Sequence, residues 1–218
     1  MGLSVILLSM LVLNFFSKIA FAFDPSPLQD FCVADLSSSA RFGGGRQCKD
    51  PATVEADDFF FSGLHLSGNT SNPSGSASTT VSVNQIPGLN TLGMILVRVD
   101  LRPNGFFRPH IHHRATELVT VLEGSIEIGF VTSYPNYKHF SKVVRRGDVF
   151  VVPVGLVHYA RNVGRGNAAA LVAFNSQNPG FTFVPNAVFG AEPPIDGDFL
   201  SRAFKLDKEI VEDLQKKF

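Results

Sequence analysis

Residues 108–117 read Arg108-Pro109-His110-Ile111-His112-His113-Arg114-Ala115-Thr116-Glu117. On an extended strand, residues two apart point to the same side, so His110 and His112 can offer imidazole nitrogens to one metal ion while His113 faces away. Glu117 lies an odd number of positions further on, and it reaches the same side only if the chain turns or bulges within residues 114–116. Because surface histidines are common, this pattern alone is weak evidence for a metal site.

A second stretch, residues 147–162, strengthens the first. It reads Gly147-Asp148-Val149-Phe150-Val151-Val152-Pro153-Val154-Gly155-Leu156-Val157-His158-Tyr159-Ala160-Arg161-Asn162. Gly147, Pro153 and Gly155 delimit a hydrophobic strand, and the next strand opens with His158. The two stretches together predict a metal site with the ligands His110, His112, Glu117 and His158. A barrel core that satisfies these side chains without a metal is the alternative, and we disfavour it because buried unpaired imidazoles and carboxylates are costly.

Between residues 79 and 183, short β-type runs alternate with Gly, Pro and Asn turns, which indicates a β-barrel or jelly roll. In residues 93–101, Ile95 and Val97 alternate with Arg98 and Asp100, as expected of a strand with one buried face. The predicted strands are Thr80–Val83, Gly93–Leu101, Glu117–Leu122, Ser125–Val131, Lys142–Val144, Val149–Val152, His158–Asn162 and Ala169–Phe174.

The C-terminal residues carry a helical pattern after Pro193-Pro194. Asp207 can cap its start, and Lys216 and Lys217 suit the negative end of the helix dipole. The apolar residues that fall on one face are Ile210, Val211, Leu214 and Phe218. This face needs a partner, either the barrel or a neighbouring subunit.

Composition limits the classes of function. The chain has 218 residues, of which 44% are hydrophobic and 17% charged, so we expect one globular core. Lys plus Arg and Asp plus Glu both number 19, so the field that attracts nucleic acid is missing and no nucleic-acid partner is predicted. Low net charge leaves association into oligomers open.

The first 22 residues have the features of a secretory signal peptide. Apolar runs lead to Ala20-Phe21-Ala22, a small-x-small cleavage pattern. We expect no later segment to cross a membrane. Residues 1–22 are therefore predicted to be removed on export.

Export also decides how the two cysteines are interpreted. An even count in a secreted chain predicts that Cys32 and Cys48 pair, whereas free thiols fit export poorly and a zinc site would need further ligands nearby. Asn69-Thr70-Ser71 is a glycosylation sequon in a polar loop, so Asn69 is a predicted glycan site.

The two histidine stretches resemble the two motifs of the cupins. The first matches at Gly105, His110, His112, Glu117 and Gly124, and the second at Gly147, Pro153, Gly155, His158 and Asn162. With residues 27–35, 87–93 and 174–180, the likeness to germins and germin-like proteins extends over nearly the whole mature chain. It implies an all-β cupin jelly-roll β-barrel with short C-terminal α-helices. The expected segments are a signal peptide (1–22), an N-terminal arm with the disulfide (23–65), the cupin β-barrel (66–190) and a C-terminal helical extension (191–218).

The resemblance also implies one manganese ion per chain, a Cys32–Cys48 disulfide, and secretion to the plant apoplast or cell wall as a homohexamer built as a trimer of dimers. Ligand type alone does not select manganese, because zinc, iron, nickel and copper also accept imidazole. Three imidazoles and one carboxylate leave two open positions on a six-coordinate ion, and a local charge of about +1 that favours small anions such as superoxide.

Activity is where the chain departs from the family pattern. Germins with oxalate oxidase activity resemble it at Asn90, whose amide would lie near the substrate. They carry a second Asn where this chain has Phe107, and a phenyl ring cannot hydrogen-bond a carboxylate. Arg108 stands where relatives usually have Pro, and its guanidinium would attract oxalate if it turned inward.

Three functions are compatible with this sequence. The first is a manganese protein with superoxide dismutase activity in stress or defence. The second is an oxalate oxidase that forms hydrogen peroxide, and the third is a non-catalytic wall or receptor-like binding cupin. No catalytic residue is predicted beyond the metal site.

Overall fold

The computed structural model of the chain describes residues 29–42 and 44–218. The predicted signal peptide, residues 1–22, lies outside the described residues. Contacts divide the chain after Cys32, and the fold below is that of residues 33–218. Within the described ranges, no helix is both long and apolar enough to cross a membrane.

Twelve strands and three α-helices lie in the described part of the chain, with short 3-10 turns at Pro51–Thr53, Ala56–Phe59 and Pro87–Leu89. The strands are β1 (Arg41–Phe42), β2 (Gly45–Arg46), β3 (Ser76–Val81), β4 (Ile95–Leu101), β5 (Phe106–Ile111), β6 (Glu117–Glu123), β7 (Ser125–Val131), β8 (His139–Arg145), β9 (Val149–Val152), β10 (Val157–Asn162), β11 (Ala168–Phe174) and β12 (Thr182–Phe183). The helices are α1 (Val184–Phe189), α2 (Gly197–Phe204) and α3 (Lys208–Lys217).

Two five-stranded antiparallel sheets face each other, with the strand orders β12-β5-β10-β7-β8 and β3-β4-β11-β6-β9. Their inner faces contribute a shared apolar core that includes Leu101, Val121 and Val172 from one sheet and Ile126 and Val144 from the other. Burial of this surface, at about 25 cal/mol per Å², is the main force that holds the two sheets together. The fold is the all-β jelly-roll barrel with short C-terminal helices that the sequence predicts.

Strand β4 differs from the prediction in one respect. Ile95 and Val97 face the barrel interior, but the opposite face is buried too. Arg98 and Asp100 are both buried there, and they form an ion pair of 2.7 Å that is shielded from water. The Arg98 guanidinium donates to the carbonyl oxygen of Leu64, and the Asp100 carboxylate accepts from the Gly68 amide, so this pair anchors the preceding loop.

Strand β5 is absent from the predicted strands because Pro109 interrupts its pattern. Proline cannot donate to a sheet ladder and occurs mostly at edges or bulges. The pairing between β5 and β10 shifts register between His158 and Ala160, opposite this proline. His158 is the register partner of His110, and the shift begins immediately after this pair, so the bulge lies beside the two histidines.

Several boundaries also move. Strand β3 spans Ser76–Val81, whereas the predicted strand is Thr80–Val83, and helix α1 begins at Val184, before the expected helical extension at 191–218. Helix α3 starts after Asp207 as predicted, but the Asp207 side chain makes no capping hydrogen bond, so that detail was wrong. Of the predicted apolar face, Val211 is fully buried while Phe218 stays exposed.

Cys32 and Cys48 are both disulfide-bonded, as the sequence predicts for a chain with two cysteines. The Asn69 side chain is exposed, and its amide oxygen accepts from the Ser71 amide in a local turn.

Candidate metal centre

Three strands and one turn bring the four predicted ligands together inside the barrel. His110 lies in β5, His112 follows its end, Glu117 opens β6 and His158 lies in β10. The chain turns at His113–Arg114, which brings Glu117 to the side of the histidines as the parity argument requires. All four side chains are buried, and one ligand atom from each lies within 4.8 Å of the others.

Backbone carbonyls fix the orientation of each imidazole. The Nδ1 atom of His110 lies 2.8 Å from the Arg108 carbonyl oxygen, and that of His158 lies 2.8 Å from the Leu156 carbonyl oxygen. His112 Nδ1 lies 2.7 Å from the carbonyl oxygen of Gly180. A carbonyl oxygen only accepts, so Nδ1 must be the donor, and a neutral ring then presents its Nε2 lone pair to the centre.

Lone pairs therefore converge on one point. Glu117 Oε2 lies 3.0 Å from His158 Nε2 and 3.5 Å from His112 Nε2. Glu117 Oε2 and His158 Nε2 are buried and make no hydrogen bond of good geometry despite their proximity. Facing lone pairs repel each other unless a cation lies between them, so the donor set fits a divalent ion.

Burial favours the neutral imidazole that a metal requires. It lowers the pKa of His110 to about 4, with the neighbouring His158 acting in the same direction. Burial also lowers the pKa of His112. Burial raises the pKa of Glu117, whereas the facing histidines lower it below its ordinary value when they carry a positive charge.

A cavity of about 390 Å³ opens from this centre into the barrel. Phe107, Phe174 and Phe181 contribute to its wall. The Phe181 ring lies 4.8 Å from the His110 ring and 5.3 Å from the His112 ring, measured between centroids, yet 49% of the residue is exposed. Phe181 therefore covers the histidines on the side that faces solvent.

Comparison with known proteins assigns the chain to a family. Residues 62–212 match the cupin family. The chain is 56% identical over 199 residues to putative germin-like protein 2-1 of Oryza sativa subsp. japonica, a match that covers 91% of this chain and 92% of that one. It is 51% identical over 209 residues to germin-like protein subfamily 1 member 20 of Arabidopsis thaliana, covering 95% and 92%. The chain belongs to the germin-like family of cupins.

Solved structures agree with this assignment. An oxalate oxidase in complex with the substrate analogue glycolate has a TM-score of 0.83 and 47% identity, and the match covers 90% of this germin-like chain and 98% of that one. Peruvianin-I, described as a cysteine peptidase from Thevetia peruviana latex, has a TM-score of 0.68 and 41% identity, covering 74% and 98%.

The two substrate-proximal predictions have different outcomes in this germin-like chain. Phe107 lines the cavity, with its ring centroid 6.3 Å from that of His110. Asn90 is buried elsewhere: its Oδ1 accepts from the Arg46 amide and its Nδ2 donates to the Arg46 carbonyl, each at 2.9 Å. Asn90 is not among the described residues that line the cavity, so the structure gives no support for its predicted place beside a substrate.

Arg108 does not turn towards the metal centre. Its guanidinium donates to Asn186 at 3.0 Å and to Ser74 at 3.3 Å, and it lies 4.9 Å from the centre of the Phe183 ring. These contacts tie β5 to helix α1 and to the loop before β3. The positive charge of Arg108 is thus engaged away from the cavity.

His113 faces away from the centre as predicted, with its Nε2 2.9 Å from the Thr182 hydroxyl. His65 is exposed. His139 is also exposed, and its Nε2 lies 3.1 Å from the Tyr159 hydroxyl, which donates to Glu127.

Sequence reasoning also missed the segment that covers the centre, residues 178–183. Gly180 has a φ of +70°, which L side chains rarely adopt, and its carbonyl oxygen orients His112. Arg114 holds the segment by donating to the Asn178 backbone and side chain, both at 2.8 Å. The available signal was Gly180 followed by an aromatic alternation at Phe181 and Phe183.

Proposed function

We propose that this germin-like protein holds one manganese ion per chain on His110, His112, Glu117 and His158 and that it dismutates superoxide outside the cell. The observation that carries the proposal is the convergence of buried, carbonyl-oriented Nε2 atoms on a buried carboxylate. A bound manganese ion would supply one-electron redox chemistry. The choice of manganese rests on family resemblance, because the donor set alone also suits zinc, iron, nickel and copper.

The protein's own residues prepare this site for a small anion. One carboxylate against a divalent ion leaves a local charge of about +1, which attracts a monoanion. The backbone carbonyls of Arg108, Leu156 and Gly180 hold the three rings in place, so the donor set is preorganised for a metal ion. Phe107 and Phe181 exclude bulk water from much of the centre's surroundings, which strengthens electrostatic attraction within it.

Oxalate oxidation is the second candidate, because a structural neighbour at 47% identity is an oxalate oxidase in complex with glycolate. The cavity argues against it. Phe107 offers no donor for the second carboxylate of oxalate, Asn90 is engaged with Arg46, and Arg108 is turned away. A non-catalytic binding cupin is the third candidate, since metal coordination alone does not require turnover.

The test is one preparation measured three ways. Mature protein purified without added metal is analysed for bound metals, and the same sample is then assayed for superoxide dismutation and for oxalate-dependent hydrogen peroxide. About one manganese per chain with superoxide activity and no oxalate activity is expected. Manganese without either activity would favour the binding protein, and oxalate-dependent peroxide would favour the oxidase.

We propose that the protein is secreted to the apoplast or cell wall, because residues 1–22 have the pattern of a signal peptide and the chain resembles secreted germins. The disulfide-bonded cysteines and the exposed Asn69 sequon are compatible with export. Peptide mapping of protein from a plant secretory pathway tests it. Glycan on Asn69 and a chain that lacks residues 1–22 are expected.

We also propose that the chain assembles into a homohexamer. Leu118, Val149 and Val151 form an exposed apolar surface across the paired strands β6 and β9, and surfaces of this kind often mark interfaces. Mass measurement in solution tests the assembly, and Val151→Lys is expected to lower the mass if this surface is buried between subunits.

A further inference from the structure

The cavity is far larger than superoxide requires. Its volume of about 390 Å³ is the room taken by about a dozen water molecules in the liquid. Val97 and Val99 point into the barrel with the core residues of β4, yet they are only half-buried because they border this open space. The barrel interior therefore contains a chamber as well as a packed core.

The polarity of the chamber is strongly asymmetric. At one end are the three histidines and Glu117. The remaining wall is mostly aliphatic or aromatic, and its apolar members include Ile95, Val97, Val119, Ile128, Val172 and Phe174. No Lys or Arg lines the chamber among the residues that the structure describes. The hydroxyl-bearing Ser78 and Thr80 lie on β3, where both are exposed.

We propose that the metal-loaded chamber binds a monocarboxylate with an apolar tail, whose carboxylate meets the ion and whose tail occupies the aliphatic part of the barrel. The inference rests on the proposed function for the metal and extends it by naming the ligand class. One negative charge matches the local charge of about +1 at the centre. Carboxylate oxygen is a donor that manganese accepts readily.

Dianions fit this chamber less well. Their second carboxylate would lose its hydration among side chains such as Val97 and Val172, and none of the described residues that line the chamber is a Lys or Arg that could pair with it. An apolar tail in the same place gains free energy with each methylene that leaves water. We therefore expect affinity to rise about threefold to fourfold for each added methylene until the chamber is full.

Calorimetric titration of the metal-loaded mature chain with acetate, butanoate, hexanoate and octanoate tests the proposal. Metal content is measured first on the same sample, so a protein without metal overturns the proposed function. A metal-loaded protein without chain-length dependence overturns the present inference alone. Hexanedioate is expected to bind about tenfold or more weakly than hexanoate, and protein stripped of metal by a chelator is expected to lose binding of the whole series.

A pair of identical substitutions tests where the tail lies. Val97→Thr places a hydroxyl in the chamber wall and is expected to weaken hexanoate binding about fivefold or more while acetate binding and metal content stay unchanged. Val163→Thr makes the same change outside the chamber, at a residue that is 42% exposed, and is expected to have no effect on hexanoate binding. Equal affinities of the two variants for hexanoate, or equal affinities of unmodified protein for hexanoate and hexanedioate, would overturn the inference.

Discussion

His112 Nδ1 donates a hydrogen bond of 2.7 Å to the carbonyl oxygen of Gly180, which lies 68 residues further along the chain. This bond couples a candidate metal ligand to the segment that covers the centre. Gly180 adopts a φ of +70°, and a Cβ added there would lie 3.0 Å from the guanidinium of Arg114. The orientation of His112 thus depends on a backbone conformation that favours glycine.

Gly180→Ala is expected to weaken metal binding about tenfold. The added methyl strains the backbone and presses on Arg114, so the carbonyl moves away from His112, and lost outer contacts of metal-binding histidines typically cost ten- to a hundredfold in affinity. Competition with a chromogenic chelator measures the change.

Gly93→Ala is the matched control. Gly93 has a similar φ of +66°, but a Cβ added there meets nothing within 4 Å. The Gly93→Ala variant should have a backbone strain similar to that of Gly180→Ala, but its metal affinity should be unchanged. Equal metal affinity of the two variants would contradict the coupling between Gly180 and His112.

His112→Ala is expected to remove most of the bound manganese. Each ligand is part of a preorganised set, and three remaining donors hold a weakly binding ion poorly. His113→Ala is the control, because the neighbouring ring faces Thr182 outside the barrel. Metal analysis of both purified proteins measures the effect, and full manganese occupancy in His112→Ala would show that the site assignment is wrong.

Metal-free protein is expected to lose stability as the pH is lowered from 6.5 towards 4. The pKa of His110 is about 4 in the folded chain against an ordinary value of 6.5. Between these values the unfolded chain binds a proton that the folded chain does not. The free energy of unfolding therefore decreases as the pH is lowered, by about 3 kcal/mol over the whole range. Urea unfolding of chelator-treated protein at several pH values measures this loss.

Two variants test whether His110 is the source of this pH dependence. His110→Gln removes the buried titrating ring, so its unfolding free energy should change less over the same pH range. His65→Gln removes an exposed ring and should retain the full dependence. If His110→Gln and unmodified protein lose the same free energy, His110 is not the source.

The predicted ligands were found because their signals are local. His110 and His112 follow strand parity, and Glu117 needs only the short turn that the structure places at His113–Arg114. Strands β7 and β9 have the predicted bounds because each is a short β-type apolar run between clear turn residues. Strand β5 was not predicted because it contains Pro109. The sheet accommodates this proline through a register shift with β10, which the sequence does not show.

What could not be predicted depends on contacts between distant parts of the chain. Asn90 is engaged with Arg46, which lies 44 positions earlier, and no pattern around Asn90 shows this. The carbonyl of Gly180 reaches His112 only after the chain has crossed the barrel. The chamber itself arises from side-chain volumes on both sheets, which sequence alternation does not measure.

The Phe107 ring lines the cavity beside His110. Oxalate oxidation by the unmodified protein should be absent or marginal, and Phe107→Asn should increase oxalate affinity without changing metal content. The amide would add one hydrogen bond to a charged group, worth about 1.5 to 3 kcal/mol, or roughly ten- to a hundredfold in affinity. Calorimetry with oxalate measures this gain.

Phe106→Asn is the control, since the adjacent ring is 40% exposed and is not among the described residues that line the cavity. Phe107 packs against the core, so Phe107→Asn is also expected to lower stability by about 3 kcal/mol, and oxalate binding must be measured on protein shown to be folded. Because Asn186 and Ser74 hold Arg108, its guanidinium does not compete for the oxalate. Robust oxalate-dependent peroxide from unmodified, manganese-loaded protein would show that Phe107 does not exclude this substrate.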